Sequence, residues 1–189
     1  MGDVRLSDGS IPKRAAIYLE GGTAAIATGK ERAPLSLRSA HSQFELLVLP
    51  IGTTLQLSND DHLTHSIFSV SPIKPLMLGP LSVGESRTVQ LDRSGIMELF
   101  CSMHDAMQAL VVVAPSGLVA LSNAQGAFAL PSVPVGRYRA VAYAPELGQA
   151  TRTFDIRNGE RITLHLQIAH PGHPVSSEGG MNSGARGKR

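Results

Sequence analysis

The stretch Phe100-Cys101-Ser102-Met103-His104-Asp105-Ala106-Met107 gathers a thiol, an imidazole and two thioethers into one short segment. Its spacing is C-x2-H-x2-M, and apolar runs of strand length flank it on both sides. One thiolate and two imidazoles in a trigonal array, with a weak axial thioether, form a copper site. A tight loop between two rigid strand ends can hold three of those four groups. The second imidazole must then come from another strand. Upstream, Asn59-Asp60-Asp61-His62-Leu63-Thr64-His65 reads as a turn leading into a strand that opens at His65. His62 competes with His65 for that role, and the strand directly after His65 favours His65. Met103 competes with Met107, but its place between two candidate ligands points its side chain outward.

Those residues need a scaffold, and the chain reads as all-β. Runs rich in Val, Ile, Leu, Thr and Tyr recur between clusters of Gly, Pro, Asn, Asp and Ser, the pattern of β-sandwiches. Candidate strands are 3–6, 15–19, 35–38, 44–49, 53–58, 65–70, 87–91 and 95–101. They continue as 107–114, 119–122, 127–130, 136–144, 150–156 and 161–168. Turn chemistry separates them at Ser7-Asp8-Gly9-Ser10, Pro50-Ile51-Gly52, Asp92-Arg93-Ser94-Gly95, Asn123-Ala124-Gln125-Gly126 and Asn158-Gly159. Alternation is clearest in Thr53–Ser58 and Thr163–Ile168, each with one apolar and one polar face.

Composition narrows the function classes. The 189 residues are 42% hydrophobic and 17% charged, enough apolar content for a packed core. Net charge is +2, several of the basic residues sit near the C-terminus, and aromatics are 4% with no Trp. No basic stripe interleaved with aromatics exists, so a nucleic-acid partner is not expected. No apolar run approaches the ~18 residues of a membrane helix. The N-terminus shows neither the basic nor the apolar region of a signal peptide, which suits a mature or trimmed chain as well as a cytoplasmic one. Cys101 is the single cysteine, so an intramolecular disulfide is excluded.

With both segments in view, the chain resembles a cupredoxin: Asn59-x-Asp61-x3-His65 opens a strand, and C-x2-H-x2-M follows at the end of the unit. The loop spacing is similar to that of amicyanin. The flow from Val48 through Leu78-Gly79 and Asp92–Gly95 to Cys101 is similar to methylamine-utilization-type cupredoxins. The resemblance covers roughly residues 40–114. It implies a Greek-key sandwich holding one copper ion, with His65 and His104 as imidazole ligands, Cys101 as thiolate and Met107 as axial ligand. Two departures concern the outer shell: Ser66 stands where many members have Asn, and Asp105 where many have Pro.

Residues 117–168 carry Gly126-Ala127-Phe128-Ala129-Leu130 and Val133-Pro134-Val135-Gly136-Arg137-Tyr138, similar to carboxypeptidase-regulatory-like, transthyretin-like sandwiches. The domain reading is 1–114 for the cupredoxin, 115–168 for the second sandwich and 169–189 as a disordered Gly/Ser-rich tail containing His170 and His173. The second module lacks its usual opening strand pair, and residues 2–21 look much like it. Those residues either complete the second sandwich or cap the first.

The resemblance implies electron transfer by a Cu(I)/Cu(II) couple. Copper delivery or storage without a redox partner, and a metal-free structural sandwich, are the alternatives. No enzyme is expected, because Phe100 and Ser102 beside Cys101 offer none of the extra histidines of a multicopper oxidase. A transient redox protein would dock near His104, on Met103, Ala106 and the Leu76-Met77-Leu78 run. A copper site with a reduced lone cysteine suits the periplasm or the cell exterior.

Overall fold

A computed structural model describes residues 1–22, 32–37, 45–130 and 132–169. The predicted tail beyond residue 169, with His170 and His173, lies outside the described residues, as do Arg38 and Phe44 at two predicted strand ends. The strands are β1 (Gly2–Leu6), β2 (Ala16–Gly21), β3 (Arg32–Leu37), β4 (Glu45–Pro50), β5 (Thr54–Asn59), β6 (His65–Ser69), β7 (Leu76–Leu81) and β8 (Ser86–Gln90). They continue as β9 (Gly95–Cys101), β10 (Gln108–Ala114), β11 (Val119–Leu121), β12 (Ala127–Phe128), β13 (Gly136–Ala144), β14 (Gly148–Ile156) and β15 (Leu164–Ile168). No helix occurs among the described residues, so the all-β expectation holds.

Four sheets form, with strand orders β4-β10-β9-β6-β7, β3-β5-β8, β11-β2-β13-β14 and β12-β1-β15. The first two close one sandwich over Leu55, Leu57, Ile67, Leu81, Met97 and Val111. The other two close a second over Val4, Ile17, Leu19, Tyr138, Ala140 and Leu166. The period-2 alternation explains which residues go inward. In β5 the buried residues are Leu55, Leu57 and Asn59, and in β15 they are Leu164, Leu166 and Ile168 while His165 and Gln167 stay outside.

The N-terminal strands pair with the second sandwich. β1 runs parallel to β15 and antiparallel to β12, and β2 lies between β11 and β13. The strands of the first sandwich all lie within Arg32–Ala114. The physical reason is that β1 and β2 supply the inward faces, Val4, Leu6, Ile17 and Leu19, that the second core lacks without them. The hairpin turn before β12 accommodates β1 closely. Gly126 has φ +76°, and a Cβ there would sit 2.5 Å from the Val4 carbonyl oxygen, so only glycine fits.

A third apolar layer joins the two sandwiches. Ala16, Leu46, Val48, Leu110, Val112 and Ala114 pack together, with Tyr18 and Tyr143 alongside. β10 is thus buried on both faces, Val111 and Val113 toward the first core and Leu110, Val112 and Ala114 toward the neighbouring sheet. That is why 109–115 reads as a continuous apolar run rather than an alternating one. Ser116, just past β10, donates to the Leu19 carbonyl at 2.6 Å and fixes the crossing.

β7 was not among the predicted strands. Pro75 before it and Gly79-Pro80 within it read as turn residues, yet β7 is the edge of its sheet, where proline is tolerated.

Candidate metal centre

Strand pairing brings the two distant segments together. β6 and β9 are antiparallel neighbours, with Ile67 opposite Cys101 and Phe68 opposite Phe100. Alternation then turns His65 and Ile67 of β6, and Met97, Leu99 and Cys101 of β9, toward the same interior. His65 stands one pleat beyond Ile67, at the end of the sheet, diagonal to Cys101.

The loop 101–107 closes on itself. The Met107 main-chain N–H donates to the His104 carbonyl at 3.0 Å, and the Cys101 N–H donates to the Met107 carbonyl at 3.2 Å. His104 is half-buried and Met103 is 55% exposed, directed outward as expected. Asp105 and Ala106 are exposed, so the residue that replaces proline faces solvent.

The three donor side chains converge. Cys101 Sγ lies 3.7 Å from His65 Nδ1 and 3.6 Å from His104 Nδ1. All three candidate ligand atoms lie within 4.8 Å of one another. The two imidazole rings meet edge-on, with centroids 4.9 Å apart and planes at 62°. His65 is fully buried and Cys101 nearly so. Met107 is buried in the same apolar cluster as Cys101. His62, by contrast, is 87% exposed, so of the two histidines only His65 reaches the cluster.

The upstream turn is built on Asn59, which is fully buried. Its amide nitrogen donates to the Leu63 and Leu81 carbonyls, each at 2.8 Å, and its Oδ1 accepts from the Asp61 N–H at 3.0 Å. Asp61 Oδ2 lies 3.1 Å from His65 Nε2, and its Oδ1 accepts from the His62 main-chain N–H at 2.7 Å. The His62 N–H, ahead of an opposing push from burial and a further pull from His65, holds the Asp61 carboxyl below its ordinary range. Sequence reasoning used Asn59 and Asp61 only as spacing marks. The signal for their roles was an acceptor four residues before a histidine within a turn.

The tie between the two ligand-bearing segments does not need the asparagine that Ser66 replaces. The Ser102 main-chain N–H donates to the Ser66 carbonyl at 2.9 Å, so the backbone joins them. The docking run splits: Leu76 and Met77 pair with Ser69 and Phe68, at the end of β6 away from His65, whereas Met103 and Ala106 flank His104. One soft sulfur and two imidazole nitrogens, converging with two of the three side chains buried and His104 half-buried, fit copper by donor chemistry.

Known proteins compare with this chain as follows. No protein-family model matches it, and no curated protein matches it. A purple cupredoxin from Nitrosopumilus maritimus is similar at 30% identity and a TM-score of 0.34, over 36% of this chain and 77% of its own. An oxidised amicyanin variant is similar at 17% identity and a TM-score of 0.39, over 43% of this chain and 80% of its own. A Cu(I) amicyanin variant is similar at 14% identity and a TM-score of 0.41, over 47% of this chain and 87% of its own. The chain is an all-β protein with cupredoxins as structural neighbours over part of its length. No helix among the described residues is long and apolar enough to cross a membrane.

Proposed function

We propose that this chain is a mononuclear blue-copper electron-transfer protein, with His65, Cys101 and His104 as strong ligands and Met107 as the weak axial thioether. The observation that carries the reading is the convergence of one sulfur and two ring nitrogens within 4.8 Å at a buried strand end. Copper bound there supplies a one-electron Cu(I)/Cu(II) couple. The chain's own part is rigidity: backbone bonds close the 101–107 loop and tie it to β6, which favours one donor geometry for both oxidation states.

Electrons would pass through the half-buried His104. The exposed Met103 and Ala106 beside it make a small apolar patch for a transient redox protein, of the limited area such encounters use. A carrier is favoured over an enzyme because Phe100 and Ser102 add no imidazole next to Cys101. The second sandwich reads as a carboxypeptidase-regulatory-like scaffold: Phe128 and Tyr138 share its core, and Tyr138 stacks on Phe154 with centroids 6.0 Å apart. A reduced lone thiol with copper suits the periplasm or the cell exterior.

The test is Cu(II) added to the purified protein, followed by visible absorption and EPR, beside Cys101→Ala. An intense thiolate-to-copper band with narrow copper hyperfine splitting, absent in the variant, is the expected result. A colourless protein, or weak bands that survive loss of Cys101, would sink the reading. A blue site whose Cu(I) exchanges rapidly with a chelator would turn it toward delivery.

A further inference from the structure

Among the described residues, Asp61 is the one acidic side chain that is buried, and it serves none of the three donor positions. A buried carboxylate is costly unless partnered. Its two oxygens are divided between two histidines: Oδ1 meets the His62 main-chain N–H and the exposed His62 ring Nδ1, each at 2.7 Å, while Oδ2 faces the His65 ring alone. The carboxylate is itself aimed, since Asn59 Oδ1 accepts from its N–H while the Asn59 amide nitrogen grips Leu63 and Leu81. Leu81 lies opposite His65 in the β6–β7 pair, so the clamp is referenced to the strand that carries the ring.

We propose that Asp61 is the positioning residue of the centre: its carboxylate fixes the His65 tautomer, aims Nδ1 at the Cys101 side, and biases the site toward the oxidised metal. The argument is one of proton placement. A neutral imidazole carries a single N–H, and the nitrogen that faces a carboxylate is the one that keeps it. With the proton on Nε2, 3.1 Å from Asp61 Oδ2, the lone pair stays on Nδ1, the atom 3.7 Å from Cys101 Sγ. A carboxylate behind a ligating histidine also raises the basicity of the ring and favours the more highly charged metal. His104 is not held by any buried carboxylate of this kind, so the two imidazoles are unequal: one locked from behind, one half-exposed.

This inference rests on the copper reading for its redox part but not for its tautomer part, and the experiment separates the two. Histidine nitrogen chemical shifts of the metal-free protein report the His65 tautomer directly, and copper affinity and reduction potential are measured on the loaded protein. The wild type is expected to show a single Nε2–H form. Asp61→Ala is expected to give mixed tautomers and to lower Cu(II) affinity by about 10–100-fold. Asp61→Asn keeps an acceptor without the charge, so it should restore the Nε2–H form while the potential rises. Wild-type tautomers in Asp61→Ala, or a wild-type potential in Asp61→Asn, overturn the proposal. Should the alanine variant fail to fold, the near-isosteric asparagine variant still decides it. Should the protein take up no copper, an Nδ1–H tautomer in the metal-free wild type overturns the positioning role independently.

Discussion

Each sandwich sets a carboxylate against a strand-borne histidine, and these two pairs differ in everything but chemistry. In the first, Asp61 meets His65 at 3.1 Å with side chains 2% and 0% exposed, and the other ring nitrogen of His65 faces Cys101. In the second, Asp3 meets His165 at 2.6 Å across the parallel β1–β15 pair, with side chains 26% and 70% exposed. His165 reached this position as the polar member of an alternating strand, and Arg5 shares its partner. The contrast teaches that an Asp–His contact by itself is a surface feature. It becomes part of a site when both members are dry and the far nitrogen points at another donor. The remaining buried polar groups of the second sandwich and its linker serve the backbone instead: Ser122 accepts from the Ala15 N–H at 2.8 Å, and Ser116 bonds to Leu19.

The largest expected difference comes from truncating each histidine in turn. His65→Ala removes one of three converging donors and leaves a buried carboxylate facing a cavity. It should abolish the thiolate-to-copper band and destabilise the metal-free protein. His165→Ala should leave the band unchanged and shift stability by no more than about 0.5 kcal/mol, as for an ordinary surface substitution. Copper spectra and urea unfolding of both variants check this. Comparable losses in the two would break the comparison.

A second prediction asks whether the sandwiches are separate bodies. Leu110 is buried in the layer that joins them, and Leu110→Ala should cost about 2–5 kcal/mol. The chain offers a convenient pair of reporters. It has no Trp, and its three tyrosines, Tyr18, Tyr138 and Tyr143, all lie in the second sandwich or on the joining layer. Tyrosine fluorescence thus follows that half, and the copper band follows the other. The two transitions should coincide in the wild type and separate in Leu110→Ala. Transitions already apart in the wild type would mean that the shared layer couples nothing.

How much of this was legible in the sequence depended on whether the signal was local. The donors Cys101 and His104 and the Met107 spacing sit in one loop, and the strand opening at His65 is visible because His65-Ser66-Ile67-Phe68 alternates. The pairing of residues 2–21 was legible as one of two placements, since their pattern matched a missing strand pair. The joining layer was not, although its trace was present: 109–115 lacks the alternation of a strand with one wet face, and two buried faces are the reason. β7 was hidden by Pro75 and Pro80, whose tolerance depends on an edge position that only the sheet order reveals. Asp61 was hidden for a different reason. Exposed acids fill turns routinely, and nothing local says that this one is dry while its neighbour Asp60 is not.

The smallest predicted effect concerns the exposed pair and its pH dependence. The hydrogen bond from His165, ahead of an opposing contribution from burial and further help from Arg5, holds the Asp3 carboxyl below its ordinary value of 3.8. A carboxyl lowered on folding contributes stability that is present above its unfolded value and is lost as pH falls through the folded one. Urea unfolding from about pH 5 down to about pH 3 should therefore show a modest decline with a share due to Asp3. His165→Ala should flatten that share, and added salt should shrink it, because charges this exposed are screened within about 10 Å at ~0.1 M. The buried pair gives the control: salt should leave the copper band untouched, since water and ions do not reach His65. A salt-insensitive acid slope in the wild type would mean that Asp3 and His165 are drier than their exposure implies, and the contrast between the two pairs would narrow to the presence of Cys101 alone.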